Sequence, residues 1–478
     1  MTYYIKIFGC QMNYSDAERI ATILTKYKFN QSASLNEADF VIFVTCGVRQ
    51  MAEDRVYGQI HNIRKKYPQK KIILTGCLAH RKDVQRRLKD KVDLFCEVYN
   101  FPEEIQKIFQ NSKFKIQNSS CNAILKDYLK IKPLCRNKIS VYVPIMTGCN
   151  NFCSYCVVPY ARGREYSRPA EDILKEVEAL VKKGYKEIIL LGQNVNSYNS
   201  LMRTNKKRIR ANIGSHSQTL VLHSRVINFA KLLQLIAKIP GHFWLTFLTS
   251  HPKDMSDELI ETIANSKKIC EYISLPAQSG DDDVLRRMNR KYSIKHYQDL
   301  IKKIRLKFNF RINPKVELLE KLSPAISTDI IVGFPGETKS QFKNTAKLLR
   351  EMKFDMAYIS QYSPRPETAA WKLKDNVSKK EKSRREKVLT NILKKTALEN
   401  NKKYIGKVVE VLVDKERPHL QSPPRIKGKE KGRGYQYQGH TRTQKKVMVY
   451  SHKKTPIGIF QKVRITKAKA FGLEGEMF

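Results

Sequence analysis

No stretch of this chain approaches the roughly 18 consecutive apolar residues that a membrane-spanning helix needs, so such a helix is excluded. The N-terminus, Met1-Thr2-Tyr3-Tyr4-Ile5-Lys6, lacks a cationic lead followed by an apolar run, so no signal peptide is expected. Cysteine is sparse: the 478 residues include 10, too few for a disulfide scaffold, and six of them fall into two sets. A reducing, cytoplasmic setting is the expectation. Acidic residues are half as numerous as basic ones, 45 against 90, for a net charge of +45. This deficit points to a polyanionic partner, nucleic acid first, although lysines on solvated helix surfaces account for part of it.

The densest chemistry lies in Cys149-Asn150-Asn151-Phe152-Cys153-Ser154-Tyr155-Cys156, just after the apolar stretch 141–146. The spacing is Cys-x3-Cys-x2-Cys, and it stops at three thiols. A closed structural zinc site takes four ligands, so the loop either borrows a distant ligand or leaves a position open for a substrate. Thiolates also hold iron-sulfur clusters, in which three cysteines leave one iron free.

The length exceeds one ordinary core, and three domains are expected: residues 1–115, 134–385 and 400–472. In the first, apolar strands at 3–8, 40–44 and 71–74 alternate with helical patterns from Ser15-Asp16 and over 49–66, which predicts a parallel α/β sheet. Cys10, Cys46 and Cys77 each follow the carboxyl end of a strand, where such sheets bind ligands. Three residues far apart in sequence are thereby brought to one edge; the same positions also fit three unrelated buried cysteines, since free cysteine is among the most buried residue types. Cys96, Cys121, Cys135 and Cys270 share no spacing of interest. A polar stretch at 110–125 is taken as the linker.

The middle region alternates strand and helix again, with strands expected at 141–147, 188–191, 243–247, 272–275, 329–332 and 358–361 and a helix at 169–183. Six strands predict a full or partial (β/α) barrel, whose chemistry belongs at the C-terminal strand ends. Residues 199–228 carry Arg203, Lys206, Lys207, Arg208, Arg210 and Arg225 with no acidic residue, a mobile basic insertion that either meets phosphate or is simply solvated. Shorter insertions are expected at 309–324 and 415–433. A charged helix at 378–401 leads to β-branched runs at 407–413, 446–450 and 462–466, as in a small β-barrel. Residues 401–478 hold 19 basic and 6 acidic side chains, net +13, interleaved with Tyr435, Tyr437, Tyr450, Phe460 and Phe471. Such rings either stack on bases or fill the barrel's core.

With these residues in hand, the whole chain resembles the radical S-adenosylmethionine methylthiotransferases, and within them the branch acting on isopentenylated adenosine in tRNA. The likeness is carried by Phe8-Gly9-Cys10-Gln11-Met12-Asn13, Thr45-Cys46, Gly76-Cys77, the loop from Gly148 to Cys156 with its continuation through Gly163, Leu191-Gly192-Gln193-Asn194-Val195-Asn196-Ser197-Tyr198, Thr249-Ser250-His251-Pro252, Gln278-Ser279-Gly280 and Val332-Gly333-Phe334-Pro335-Gly336-Glu337-Thr338. The resemblance implies two [4Fe-4S] clusters: one on Cys149, Cys153 and Cys156, whose open iron binds S-adenosylmethionine and cleaves it to a 5′-deoxyadenosyl radical, and one on Cys10, Cys46 and Cys77, which handles the inserted sulfur. It further implies that Tyr155 packs on the cofactor's adenine, that Gln193 and Asn194 are polar contacts to the cofactor, and that a second S-adenosylmethionine donates the methyl group. The implied substrate is the isopentenylated adenosine 3′ of the anticodon, methylthiolated at C2, with a TRAM-like C-terminal barrel holding the tRNA. An electron donor and a sulfur source complete the partners, and a monomer is the working expectation.

Val44 stands where this family commonly has Asn, and Glu367 where Gly is usual after Pro364-Arg365-Pro366. Relatives acting on threonylcarbamoyl-adenosine or on a ribosomal-protein aspartate are alternative readings, as is a non-catalytic RNA-binding metalloprotein. The run 191–198 and the basic barrel favour the isopentenyl-adenosine enzyme.

Overall fold

The computed structural model describes residues 1–477 except 49, 111–127, 136, 204–223, 310–322 and 418–433. The expected linker, Cys121, and most of the three insertions lie outside the described residues. The insertion at 199–228 does have a described base, an antiparallel hairpin of Asn199–Arg203 and Ser224–Asn228. The one at 415–433 begins inside the strand Val408–Arg417.

The N-terminal sheet is parallel throughout: Thr2–Phe8, Phe40–Thr45, Lys71–Gly76 and Leu94–Cys96 lie side by side, with Asn30–Gln31 at the other edge. Val41, Ile42, Phe43, Val44, Ile72 and Leu74 are buried on both faces, as continuous β-branched and aromatic runs require. The first helix, Gln11–Lys26, begins four residues before the expected start. Cys10 caps it: its backbone N–H donates to Asn13 Oδ1 at 3.3 Å and its thiol to the same oxygen at 3.2 Å. Capping by a cysteine is not among the usual start signals, which explains the error. Val44, the departure from the expected Asn, is fully buried in the sheet.

The central region forms two parallel three-stranded sheets. One has Glu187–Leu191 between Ser140–Pro144 and Trp244–Phe247; the other has Ala325–Val332 between Tyr272–Ser274 and Met356–Gln361. A parallel bridge between Leu245 and Ile269 joins them into the partial barrel. Helices including Ala170–Lys182, Phe229–Ala237 and Asp257–Asn265 pack their apolar stripes on it, with Ile173, Val177, Leu232, Leu233, Ile260 and Ile263 buried in one cluster.

The chain then runs through the helix Lys379–Lys402 into a closed five-stranded barrel, Val408–Arg417, Tyr435–Thr441, Lys446–Ser451, Gly472–Met477 and Ile459–Lys469. Of the five aromatics singled out here, Tyr437 is fully buried in the core and Phe471 is exposed. Phe460 instead packs on Trp244 of the central region, with ring centroids 4.9 Å apart.

The barrel docks where the central strands begin. His440 and Gln444 reach Glu187, Arg442 reaches Glu271 and Lys445 reaches Asp355, and each of these acids stands at or just before the first residue of a strand. The Cys149–Cys156 loop lies beyond the other ends of the same strands. Barrel and loop are therefore separated by the length of a strand, about 15 Å for four or five residues.

Candidate functional site

Cys10, Cys46 and Cys77 do meet at one sheet edge, each just beyond a strand. Asn13 ties the first two together, because its Nδ2 donates to the Thr45 carbonyl at 2.8 Å while its Oδ1 accepts from Cys10. The Thr45 carbonyl also accepts from the Cys77 N–H at 2.9 Å, and the Thr45 hydroxyl donates to Thr75 O at 2.6 Å. The approach is close enough to require glycine: a Cβ at Gly9 would lie 2.7 Å from Cys46 Cβ, and one at Gly76, whose φ is +89°, would collide with the Thr45 carbonyl. Cys46 and Cys77 are buried and Cys10 is open to solvent.

The second set is held by backbone contacts. Cys149 N–H donates to Gly163 O at 3.2 Å and Cys156 N–H to Cys153 O at 3.0 Å. The turn Met288-Asn289-Arg290 braces the loop: Ser154 N–H donates to Met288 O at 3.0 Å, Asn289 Nδ2 to Phe152 O at 2.9 Å, and Arg290 lies 3.6 Å from Cys153 Sγ. Tyr155 packs on an apolar group that includes Val284, Met288 and Phe334.

The two sets face each other. A Cβ on Gly47, next to Cys46, would lie 3.1 Å from Val157, next to Cys156, and 3.3 Å from Cys77 Cβ. Burial, followed by the neighbouring Cys153 thiol and then the more distant Cys149 and Cys77, pushes Cys156 up to about 12. The Cys46 thiol, helped by the Arg162 guanidinium, draws Cys10 down to about 6. That same contact, with burial and Cys77, drives Cys46 up. The contact with Cys46, with Arg162 as a lesser contribution, thus favours a thiolate at Cys10.

Among the described residues no three Cys, His, Asp or Glu side chains converge on a single metal ion, and all nine described cysteines are free. At the strand ends above the second set, Gln193 Oε1, Asn194 Oδ1 and Ser250 Oγ are buried without a hydrogen-bond partner. Buried polar atoms are normally paired, so these three fit a polar ligand that completes them. His251 beside them is kept neutral: burial and then Arg290 and Lys253 hold its imidazole down at about 2.

Sequence reasoning passed over Asn13, Arg162, Ser250 as a site residue, and Arg290. Asn13 and Ser250 lie inside motifs already quoted, whereas Arg290 carries no local signal. It also missed Arg365, which donates to Glu53 Oε2 at 2.7 Å and to Val48 O at 3.1 Å across the two regions. Glu367, where glycine is usual, has φ of +71° and points to His80 at 3.8 Å, three residues after Cys77.

The family model described as the radical SAM superfamily matches residues 143–349, and that described as uncharacterized protein family UPF0004 matches residues 2–97. A tRNA-2-methylthio-N(6)-dimethylallyladenosine synthase of Clostridium botulinum is 37% identical over 99% of this chain and 96% of its own length. This chain belongs to the radical S-adenosylmethionine methylthiotransferase family. The enzyme of that name from Syntrophomonas wolfei is 38% identical over 100% of this chain and 98% of its own length. A radical S-adenosylmethionine methyltransferase, TsrM, from Kitasatospora setae overlays with a TM-score of 0.48 at 12% identity, covering 77% of this chain and 76% of that one. As a family member, this methylthiotransferase uses a [4Fe-4S] cluster and S-adenosylmethionine. No described helix of it is long and apolar enough to cross a membrane.

Proposed function

We infer that this methylthiotransferase converts isopentenylated (dimethylallyl) adenosine beside the anticodon of tRNA to its 2-methylthio derivative. The observation that carries this reading is the apposition of two three-thiol sets across Gly47, Val157 and Arg162. Full-length likeness to relatives named for that product supports the choice of base.

Cys149, Cys153 and Cys156 hold one [4Fe-4S] cluster in this reading, and Cys10, Cys46 and Cys77 hold a second. When bound, the clusters and S-adenosylmethionine supply the one-electron chemistry, sulfur and methyl group that no side chain carries. Asn289, Ser154 and Arg290 fix the loop so that its thiols do not reorganise. Gln193, Asn194 and Ser250 offer their unpartnered oxygens to the cofactor's polar groups, and Asp254 orients Asn194 through a 2.7 Å bond from Nδ2. The apolar surroundings of Tyr155 suit it to line the adenine pocket. The barrel's net positive charge and exposed Phe471 serve to hold the tRNA. A base must leave its stack to reach such a site, which a loop permits more readily than a duplex. The reading places the enzyme in the cytoplasm with an electron donor and a sulfur source.

Anaerobic reconstitution tests it. Eight irons per chain and reductant-dependent formation of 5′-deoxyadenosine are expected from two [4Fe-4S] clusters. Absence of both cluster absorbance and cleavage would leave only an RNA-binding role.

A further inference from the structure

The docking of the barrel raises a question about substrate placement. RNA held by the barrel alone is held at the wrong end of the central strands, about 15 Å from the cysteine loop. A second contact is needed near the thiols.

One segment, residues 363–373, touches both cysteine sets. Its Ala370 N–H donates to Ser154 O at 2.7 Å in the Cys149–Cys156 loop, and Ala370 is fully buried. Its Arg365 donates to Val48 O and to Gln50 Oε1 at 2.7 Å, and Ser363 donates to the same Gln50 oxygen at 3.0 Å, just beyond Cys46. Around these anchors four large apolar side chains are left in water: Trp371 at 50% exposure, Leu373 at 44%, Val48 at 56% and Met51 at 70%. Single exposed apolar residues are ordinary, but four on two segments that Arg365 and Ser363 bind together at the seam between the thiol sets point to a binding surface. Exposed Lys372, Lys374, Lys379 and Lys380 flank the tryptophan. An exposed ring with lysines following it in the chain matches single-stranded nucleic acid, in which bases stack and phosphates are neutralised.

We propose that Trp371 is a stacking platform for an unpaired base of the tRNA anticodon loop, and that with Leu373, Val48 and Met51 it forms the mouth through which the target adenosine enters. Trp371 is a positioning residue, and the proposal rests on the reading of the substrate as tRNA. The segment's grip on both thiol sets fixes the platform relative to the chemistry, which a contact on the distant barrel cannot do.

The chain offers its own probe, since it has only 2 tryptophans and the other, Trp244, is fully buried. Acrylamide quenching of the holoenzyme's tryptophan emission therefore reads Trp371. Adding an anticodon stem-loop RNA that carries isopentenyl adenosine is expected to shield that emission. Trp371→Ala is expected to weaken RNA binding roughly 5- to 100-fold, the range for loss of one base–aromatic stack, while Trp371→Phe retains most of the affinity. RNA that binds, with its usual salt dependence, yet leaves Trp371 as quenchable as before and the Trp371→Ala affinity unchanged overturns the platform and spares the tRNA reading. Shielding by a reducing protein but not by RNA also overturns it, in favour of an electron-transfer dock. Failure of any RNA to bind overturns the tRNA reading itself.

Discussion

Asp16 and Arg162 form an ion pair at 2.6 Å with side-chain exposures of only 3% and 5%. Asp16 lies on the helix capped by Cys10 and Arg162 just beyond Cys156, so the pair rivets one thiol set to the other. Removing one partner strands a buried charge, and Asp16→Ala is expected to lower stability by about 3–5 kcal/mol. Denaturant unfolding of the single variant and of Asp16→Ala with Arg162→Met checks this: the double variant should recover part of the loss. Equal stability of wild type and Asp16→Ala would show that the pair is open to water.

The division of labour between the thiol sets predicts two different phenotypes. Cys153→Ala should abolish S-adenosylmethionine cleavage, whereas Cys46→Ala should spare cleavage and stop thiolation. Quantifying 5′-deoxyadenosine and methylthiolated nucleoside in the same reaction separates the two. Full product from Cys46→Ala would contradict the assignment of the N-terminal set.

Ser250 Oγ has no hydrogen-bond partner among the described residues, so Ser250→Ala removes a buried polar atom without breaking a bond seen there. Folding stability should hold or rise slightly, while affinity for S-adenosylmethionine falls by roughly 2- to 10-fold, the value of one hydrogen bond. Equilibrium dialysis with the reconstituted enzyme reads the affinity. An unchanged value would move the cofactor away from the end of the Trp244–Phe247 strand.

His440 carries a pH dependence. Burial would lower its imidazole, but Glu187 at 3.2 Å and Asp414 at 3.3 Å outweigh burial and hold it at about 9. Its folded value lies above the unfolded one near 6.5, so its stabilisation is complete below that pH and is lost as pH rises through about 9. Gln444 and the edge of Trp244 also face this group and do not titrate in the range. Thermal unfolding from pH 6 to 9.5 should show the barrel loosening at the alkaline end, and His440→Gln should flatten the profile. A wild-type profile with no alkaline loss would rule the contact out.

The strands of the first domain were legible because parallel, doubly covered strands read as unbroken apolar runs, as in Phe40–Thr45 and Lys71–Gly76. The placement of the six cysteines was legible too, three by spacing and three by position after strands. The cap at Cys10 was not, since its partner Asn13 acts only once Thr45 of another strand is near. The roles of Arg162, Arg290 and Arg365 were illegible for the same reason: each works on a residue more than 100 positions away, so that even Arg162 and Arg365, inside quoted runs, revealed no partner. The barrel strands Tyr435–Thr441 and Gly472–Met477 escaped notice because Gly439, Thr441 and Gly475 take inward positions that an apolar side chain would otherwise mark. Only closure of the barrel pairs them.

Mass spectrometry of tRNA nucleosides from cells with and without this protein tests the central claim most directly. The 2-methylthio derivative of isopentenyl adenosine should vanish in its absence, with its unthiolated precursor accumulating in its place. An undiminished methylthio product, or loss of a methylthiolated threonylcarbamoyl-adenosine instead, would contradict the substrate assigned here.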